Sequence, residues 1–275
     1  MKINRVLCII DPTTNRQRSL DRAAFIARQG HAEVHALLCF SPPLQVSADD
    51  SGELQAAEQL RHELWLGHLV QPLLDAGATV TTEVRSSTDW RAALAAAVRK
   101  AKVDLVIKAA SQRSPLQRRL MKTSDWLVLR DSPCPVLFAK RPEGREIKRV
   151  LAAVNIAAKD EAHIRLSDTV ITSARDLAEQ LGAELNAVNA YTESKNFIHP
   201  PDLAKRVGIA RQQAHVGDAD PEDLITAVAT KIDAGLVVIG SVGRKGMAAA
   251  VVGNTAERIL DTVDADILIL VQPAA

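Results

Sequence analysis

The sequence lacks the features that would place it in a membrane or outside the cell. No run approaches the roughly 18 consecutive apolar residues that a transmembrane helix requires. The first residues, Met1 to Asn4, lead directly into a short apolar strand, without the long apolar core of a signal peptide. We therefore expect a soluble, cytoplasmic protein that has no membrane partner.

Charge and cysteine are also scarce, and each scarcity excludes a class of function. The formal net charge is +1 and no long block of like charges occurs, so we expect no nucleic-acid partner. Cys8, Cys39 and Cys134 have no metal-ligand spacing and lie in or beside apolar runs, which indicates reduced packing residues. The histidines are scattered and no G-x-S-x-G motif occurs, so we predict neither a metal site nor a catalytic residue.

The most informative segment that is present is GSVGRKGMAAAVVGNTAE, at 240–257. It places Gly240, Gly243 and Gly253 between the apolar run Leu236–Ile239 and an amphipathic helix. Glycine tolerates positive φ and lets backbone N–H groups approach an anion, while a helix N-terminus adds partial positive charge. The spacing predicts a phosphate-binding loop, and the alternative is a glycine-rich turn that only starts the helix.

The chain also contains an internal repeat. RVLCIID at 5–11 resembles RVLAAVN at 149–155, and both segments precede a polar turn and a helical pattern. Further along, DLVIKA at 104–109 aligns with GLVVIG at 235–240. From there the two copies align without a gap to their ends. One fold therefore occurs twice.

Within each copy, short Val/Ile/Leu runs alternate with helical periodicity. This pattern predicts an α/β fold in which helices cover both faces of a parallel sheet, and ligands bind such sheets beyond the carboxyl ends of the strands. The polar segment at 140–146 marks the junction, so the predicted domains are 1–142 and 148–275. Strands are predicted near 5–11, 33–40, 79–85, 104–109, 135–139, 149–155, 184–190, 210–216, 235–239 and 266–271, with helices at Glu53–Leu74 and Thr255–Asp261 among those between them.

Together these features resemble the universal stress protein family. The glycine spacing, the duplication and first strands that end in Asp11 or Asn155 carry the resemblance over nearly the whole chain. The segments at 122–130, 132–136 and 253–257 are similar to the tandem E-type members. The resemblance implies two tandem, doubly wound, five-stranded domains that pair within the chain through their last strands, and it leaves a homodimer of whole chains open.

The resemblance also implies a ligand, because family members with a complete motif bind ATP, with Mg²⁺ only as a companion of the nucleotide. Asn155 takes the place of the acidic residue that accepts from adenine, and Asn254 stands where the family has Ser or Thr. Amide side chains still accept and donate, so these departures should weaken binding without abolishing it. The implied cofactor-binding residues are Asn155, Ala190, Gly240, Gly243, Gly246, Gly253, Asn254 and Thr255, with Asp11 in the first copy.

The first copy departs from the motif in the complementary way. It keeps Asp11, but Ala109, Gln112 and Lys122 replace the three loop glycines. The alternative role for Asp11 is an Asx turn or N-cap ahead of the next helix. Where the first copy has the helix Glu53–Leu74, the second can hold at most a short helix, so its pocket should be more open or closed by another surface.

Three functions are consistent with these residues. The favoured one is a non-catalytic stress-response regulator that binds ATP or another small ligand in its second copy. The alternative is a slow ATPase, for which Asp220 and Glu257 are the only acidic candidates near the loop. A ligand-free scaffold is the third, if Asn155 and Asn254 have abolished binding.

Overall fold

The structure is a computed structural model, and it describes residues 1–42, 51–110, 124–141, 145–242 and 254–272. The chain divides into two compact units, one of residues 3–134 and the other of residues 1–2 with 135–275. Among the described residues, no helix is both long enough and apolar enough to span a bilayer.

The unit of residues 3–134 is a parallel sheet with helices. Its strands lie in the order β3-β2-β1-β4, and Val6 of β1 is opposite Val34 on one side and Leu105 on the other. These three side chains are at most 1% exposed, because helices cover both faces of a parallel sheet. The strands are β1 (Arg5–Ile10), β2 (Glu33–Phe40), β3 (Val80–Ser86) and β4 (Leu105–Ala109), and the helices are α1 (Arg18–Gly30), α2 (Ser51–Asp75), α3 (Trp90–Lys100) and α4 (Ser124–Asp131).

The other unit repeats this arrangement. Its parallel strands lie in the order β10-β9-β6-β7-β8, and β5 (Val136–Ala139) joins it as an antiparallel partner of β10. The remaining strands are β6 (Arg149–Ala153), β7 (Glu184–Tyr191), β8 (Ala214–Asp218), β9 (Leu236–Val242) and β10 (Asp266–Gln272), and the helices are α5 (Glu161–Leu181), α6 (Pro200–Val207), α7 (Pro221–Lys231) and α8 (Asn254–Thr262).

The strand orders confirm the predicted α/β, doubly wound fold. In each copy the first strand, β1 or β6, has the second strand on one side and the fourth on the other, so strand order reverses beside it. The antiparallel pair of β5 and β10 joins the last strands of the two copies, as the family resemblance implies. The compact units divide the chain before β5, whereas the ranges 1–142 and 148–275 stay a prediction of where each copy of the fold begins and ends.

The two polar residues after β5, Lys140 and Arg141, form hydrogen bonds with β10 and with the end of α8. The buried Asp266 carboxylate accepts from the backbone N–H groups of Lys140, at 2.8 Å, and Arg141, at 3.0 Å. The Lys140 ammonium donates to the carbonyls of Leu260, at 2.7 Å, and Val263, at the end of α8. These bonds satisfy carbonyls that the last turn of a helix leaves unpaired.

Several strand boundaries differ from the prediction. β1 ends at Ile10 because Asp11 begins a turn, and β6 ends at Ala153. β8 begins at Ala214, after a 3₁₀ turn at Arg211–Gln213 in which the Gln213 side chain accepts from the Ala210 N–H at 2.8 Å. β9 continues past Ile239 to Val242, so Gly240 lies in a strand and not in the loop.

Candidate functional site

A cavity of about 570 Å³, the second cavity, lies at the carboxyl ends of strands β6, β7 and β9. It brings together four of the predicted residues, Asn155, Ala190, Gly240 and Thr255. They converge because parallel strands end at one edge of a sheet, next to the start of the following helix. Gly243, Gly246 and Gly253 lie outside the described residues, and of Asn254 only its place as the first residue of α8 is described.

Asn155 is exposed at this cavity, and two residues that the sequence did not single out hold its backbone in place. The Ser167 hydroxyl accepts from the Asn155 N–H at 3.3 Å and donates to its carbonyl at 3.1 Å. The buried Asn189 accepts from the N–H of Ile156 at 2.9 Å and donates to the Ala190 carbonyl at 3.2 Å. The rim of the site is therefore fixed from α5 and β7.

Gly240 is required by packing, whatever else it does. A Cβ at this position would lie 2.4 Å from the Cγ atom of Leu166, a contact that real structures do not show. Leu166 is the first of the inward-facing residues of α5, followed by Val170 and Ala174 at helical spacing. The absence of a side chain on β9 therefore lets α5 pack closely, and Gly240 lies in that strand, whereas its part in ligand binding stays a prediction.

The helix α8 begins at this cavity. Thr255 and the buried Ala256, both in its first turn, line the wall. Because the first turn of a helix has backbone N–H groups without intrahelical partners, this end of the cavity favours an anionic group. The lining also includes apolar residues, among them Val188 and Ile239.

The acidic candidates for hydrolysis are Glu257 and Asp220. Neither Glu257 nor Asp220 is among the described residues that line the second cavity. Burial raises the pKa of the Glu257 carboxyl, and the neighbouring Asp261 acts in the same direction. Within the described ranges, no group of three His, Cys, Asp or Glu side chains is arranged to hold a metal ion.

The first copy has its own cavity, the first cavity, of about 530 Å³ at the carboxyl ends of β1, β2 and β4. Asp11 lines it, and its carboxylate accepts from the Thr13 N–H at 2.9 Å and from the Thr13 hydroxyl at 2.6 Å. This confirms the Asx turn that the sequence offered as the alternative role of Asp11. Ala109, at the position of Gly240, lines the cavity too.

The helix α2 contributes Glu58, Arg61 and His62 to the first cavity. The ring of His62 lies 4.2 Å from that of Phe40, measured between centroids, and the residue is 6% exposed. Burial is the main cause that lowers the pKa of His62, the Arg61 charge adds to it, and Glu58 opposes it. The imidazole is therefore neutral at pH 7.

An ion pair lies where the second copy has apolar residues. Lys108 donates to Asp125 at 2.5 Å, and the two side chains are 12% and 14% exposed. In the repeat, Lys108 corresponds to Ile239 and Asp125 to Ala256, and both of those line the second cavity. The two cavities therefore lie at corresponding strand ends, but the first has a charged residue where the second has an apolar one.

The cysteines are packing residues, as predicted. All three thiols are free, and Cys8 and Cys39 are buried. Burial raises the pKa of Cys8 to about 12 and that of Cys39 to about 11. Both thiols are therefore protonated at neutral pH, which is the unreactive form.

Comparison with known proteins places the chain in a family. A model of the universal stress protein family matches residues 2–140 and 146–270. Universal stress protein E of Escherichia coli K12 is 28% identical, with 96% of this chain and 93% of that protein covered. The Universal stress protein E homolog of Haemophilus influenzae is 26% identical, with 98% and 97% covered. The crystal structure of the functionally unknown protein PA1789 from Pseudomonas aeruginosa PAO1 superposes with a TM-score of 0.78, at 28% identity and over 98% of this chain and 92% of that one. With a family match in each copy of its fold, this chain belongs to the universal stress protein family, as a tandem two-domain member.

Proposed function

We propose that this chain is a cytoplasmic stress-response regulator that binds a nucleotide, or a small ligand of similar size, in the second cavity. The observation that carries the proposal is the convergence of Asn155, Ala190, Gly240 and Thr255 on one cavity of about 570 Å³. That volume is within the range of about 300–1,000 Å³ that small-molecule sites occupy.

The chemistry of the walls suits a ligand with a flat apolar part and an anionic part. The Asn155 amide can accept from and donate to a heterocycle, although it carries no charge. The wall formed by Val188 and Ile239 suits the face of such a ring, and the N-terminus of α8 suits a phosphate. ATP meets these requirements, and Mg²⁺ would enter only with it.

The same geometry favours binding over hydrolysis. Phosphoryl transfer needs a group that positions the attacking water and carboxylates that hold a metal ion. Glu257 and Asp220 were the acidic candidates, and neither lines the described part of the cavity. We therefore propose that a bound ligand acts by changing the conformation or the partners of the protein, with slow ATP hydrolysis as the alternative.

Native mass spectrometry of the freshly purified chain, followed by calorimetry with ATP, tests this proposal. Asn155→Trp fills the rim of the second cavity, and Asp11→Trp is the matched change in the first cavity. We expect Asn155→Trp to weaken ATP binding at least about tenfold and Asp11→Trp to leave it unchanged. A parent that carries no ligand and binds no adenine nucleotide at about 1 mM would instead indicate the ligand-free scaffold.

A further inference from the structure

One side chain of the second cavity can carry a charge, and the sequence did not single it out. Among the described residues that line this cavity, His163 is the only acidic or basic one. The charged residues that line the first cavity are Asp11, Glu58, Arg61 and Lys108. Any charge that a described side chain presents inside the second cavity is therefore on the His163 ring.

His163 reaches the cavity because α5 begins earlier than its counterpart α1. The two helices have 21 and 13 residues, and each ends before a left-handed residue, Gly182 after α5 and His31 after α1. With those ends aligned, α5 has about two extra turns at its N-terminus. Three of the lining residues, His163, Leu166 and Ser167, belong to these turns. The described lining of the first cavity includes no residue of α1, and residues of α2 line it instead.

The position of His163 along α5 places it at the end of the cavity that favours an anion. Leu166 lies over Gly240 of β9, and His163 is on the same side of α5, one turn closer to its N-terminus. A helix that connects parallel strands runs opposite to them, so α5 and α8 both begin at the carboxyl edge of the sheet. His163 and Thr255, in the first turn of α8, therefore line the same edge of the cavity.

Asp160 holds the ring of His163 in one orientation. It is the N-cap residue of α5, and its Oδ1 atom accepts from the His163 N–H at 3.0 Å and lies 2.7 Å from Nδ1 of the ring. The bond from the backbone, and then the bond from the ring, hold the pKa of the Asp160 carboxyl below its ordinary value, so it is ionised at neutral pH. A carboxylate only accepts hydrogen bonds, so Nδ1 carries a hydrogen and Nε2 is the nitrogen that remains for a ligand.

We infer that His163 determines which ligand the second cavity accepts, by donating from Nε2 to an anionic group of the ligand, with Asp160 as its positioning residue. This inference rests on the proposed function and names the class of ligand within it. With a hydrogen on both nitrogens the ring is positively charged, so a phosphate oxygen is a stronger partner than a neutral hydroxyl or carbonyl group. The second cavity should therefore prefer a nucleotide to the nucleoside with the same base.

Calorimetry of the full chain with ATP and with adenosine tests the inference. His163→Ala should weaken ATP binding about tenfold and leave adenosine binding unchanged, because adenosine has no phosphate. His199→Ala is the matched control and should change neither affinity. His199 is an exposed histidine of the same unit, forms no side-chain capping bond at the start of α6, and is not among the described residues that line the cavity.

The outcomes distinguish this inference from the proposed function. If His163→Ala binds ATP as tightly as the parent does, or loses affinity for both ligands equally, the inference is wrong and the proposed function stands. A parent that binds neither ligand at about 1 mM would overturn both.

Asp160→Ser separates the positioning of the ring from the capping of the helix. Serine is also a preferred N-cap residue, so α5 should begin at the same place and thermal melting should change little. The ring loses the carboxylate that fixes it, so ATP binding should weaken about threefold while adenosine binding stays unchanged. NMR of the ¹⁵N-labelled neutral ring should show the hydrogen on Nδ1 in the ligand-free parent. A hydrogen on Nε2 instead, or an unchanged ATP affinity in Asp160→Ser, would show that Asp160 does not position the ring.

Discussion

The first and second cavities lie at the same edge of two copies of one fold, and they differ where ligand chemistry is decided. The first is lined by Lys108, which forms an ion pair with Asp125, and by residues of α2. At the places of that pair, the second has Ile239 and Ala256. Duplication preserved the strand order while the residues at the carboxyl edge diverged, so the fold alone does not say which copy binds a ligand.

The largest effect that we predict separates the packing role of Gly240 from a ligand role. Gly240→Val places a side chain against Leu166 and should lower the free energy of unfolding by about 3 kcal/mol, measured by urea denaturation. Ala109→Gly, at the matched position of the first copy, should cost about 1 kcal/mol or less. Leu166→Ala should restore part of the loss in Gly240→Val. Additive effects of the two changes would contradict the contact.

The ion pair of the first cavity gives the next effect. Lys108→Ile removes the ammonium group that pairs with the Asp125 carboxylate, and we expect the free energy of unfolding to fall by about 2 kcal/mol. The double variant Lys108→Ile with Asp125→Ala, which copies the second cavity, should recover most of that loss. Urea denaturation of the two variants measures this. If the double variant is as unstable as Lys108→Ile alone, the loss of stability does not come from the charge on Asp125.

Restoring the residues typical of the family should sharpen the contrast between the copies in ligand binding. Asn155→Asp combined with Asn254→Ser would supply a charged acceptor for adenine and a hydroxyl for phosphate. We expect ATP binding to strengthen about tenfold, or about 1.4 kcal/mol, by calorimetry. If the folded double variant binds ATP no better than the parent, the absence of a long helix like α2 becomes the better explanation for weak binding.

The smallest effect concerns pH. Burial lowers the pKa of His62 in the first copy and of His215 in the second, so in the folded chain both release a proton more readily than at their ordinary value of 6.5. The unfolded chain then binds more protons below pH 6.5, and stability is present above that pH and is lost as pH falls through the folded pKa values. His62→Phe, which keeps a ring beside Phe40, should flatten the loss in thermal melting between pH 7 and pH 5. An unchanged slope would show that His62 does not contribute.

The elements and the meeting of the site residues could be predicted, because both depend on local pattern and on the rule that parallel strands end together. The contact of Leu166 with Gly240 could not be predicted, because it depends on how α5 packs on β9. The sequence around the glycine contains no signal for that packing. For the same reason the sequence did not point to Ser167 and Asn189, whose bonds join segments that are distant along the chain. A helical pattern with apolar residues on two sides was the available signal for α2, and it does not say which side the chain itself covers.

The strand β5 has a consequence for how the chain is made. Val136, Leu137 and Phe138 are at most 2% exposed, and their antiparallel partners lie in β10, at the far end of the chain. When the first copy has emerged from the ribosome, β10 has not yet been synthesised. Until it has been, β5 lacks its antiparallel partner β10, and an edge strand without its partner can aggregate or pair with a neighbouring nascent chain. A fragment that ends soon after β5 never gains β10 as a partner. We therefore expect the first copy, produced alone, to be poorly soluble unless β5 is removed.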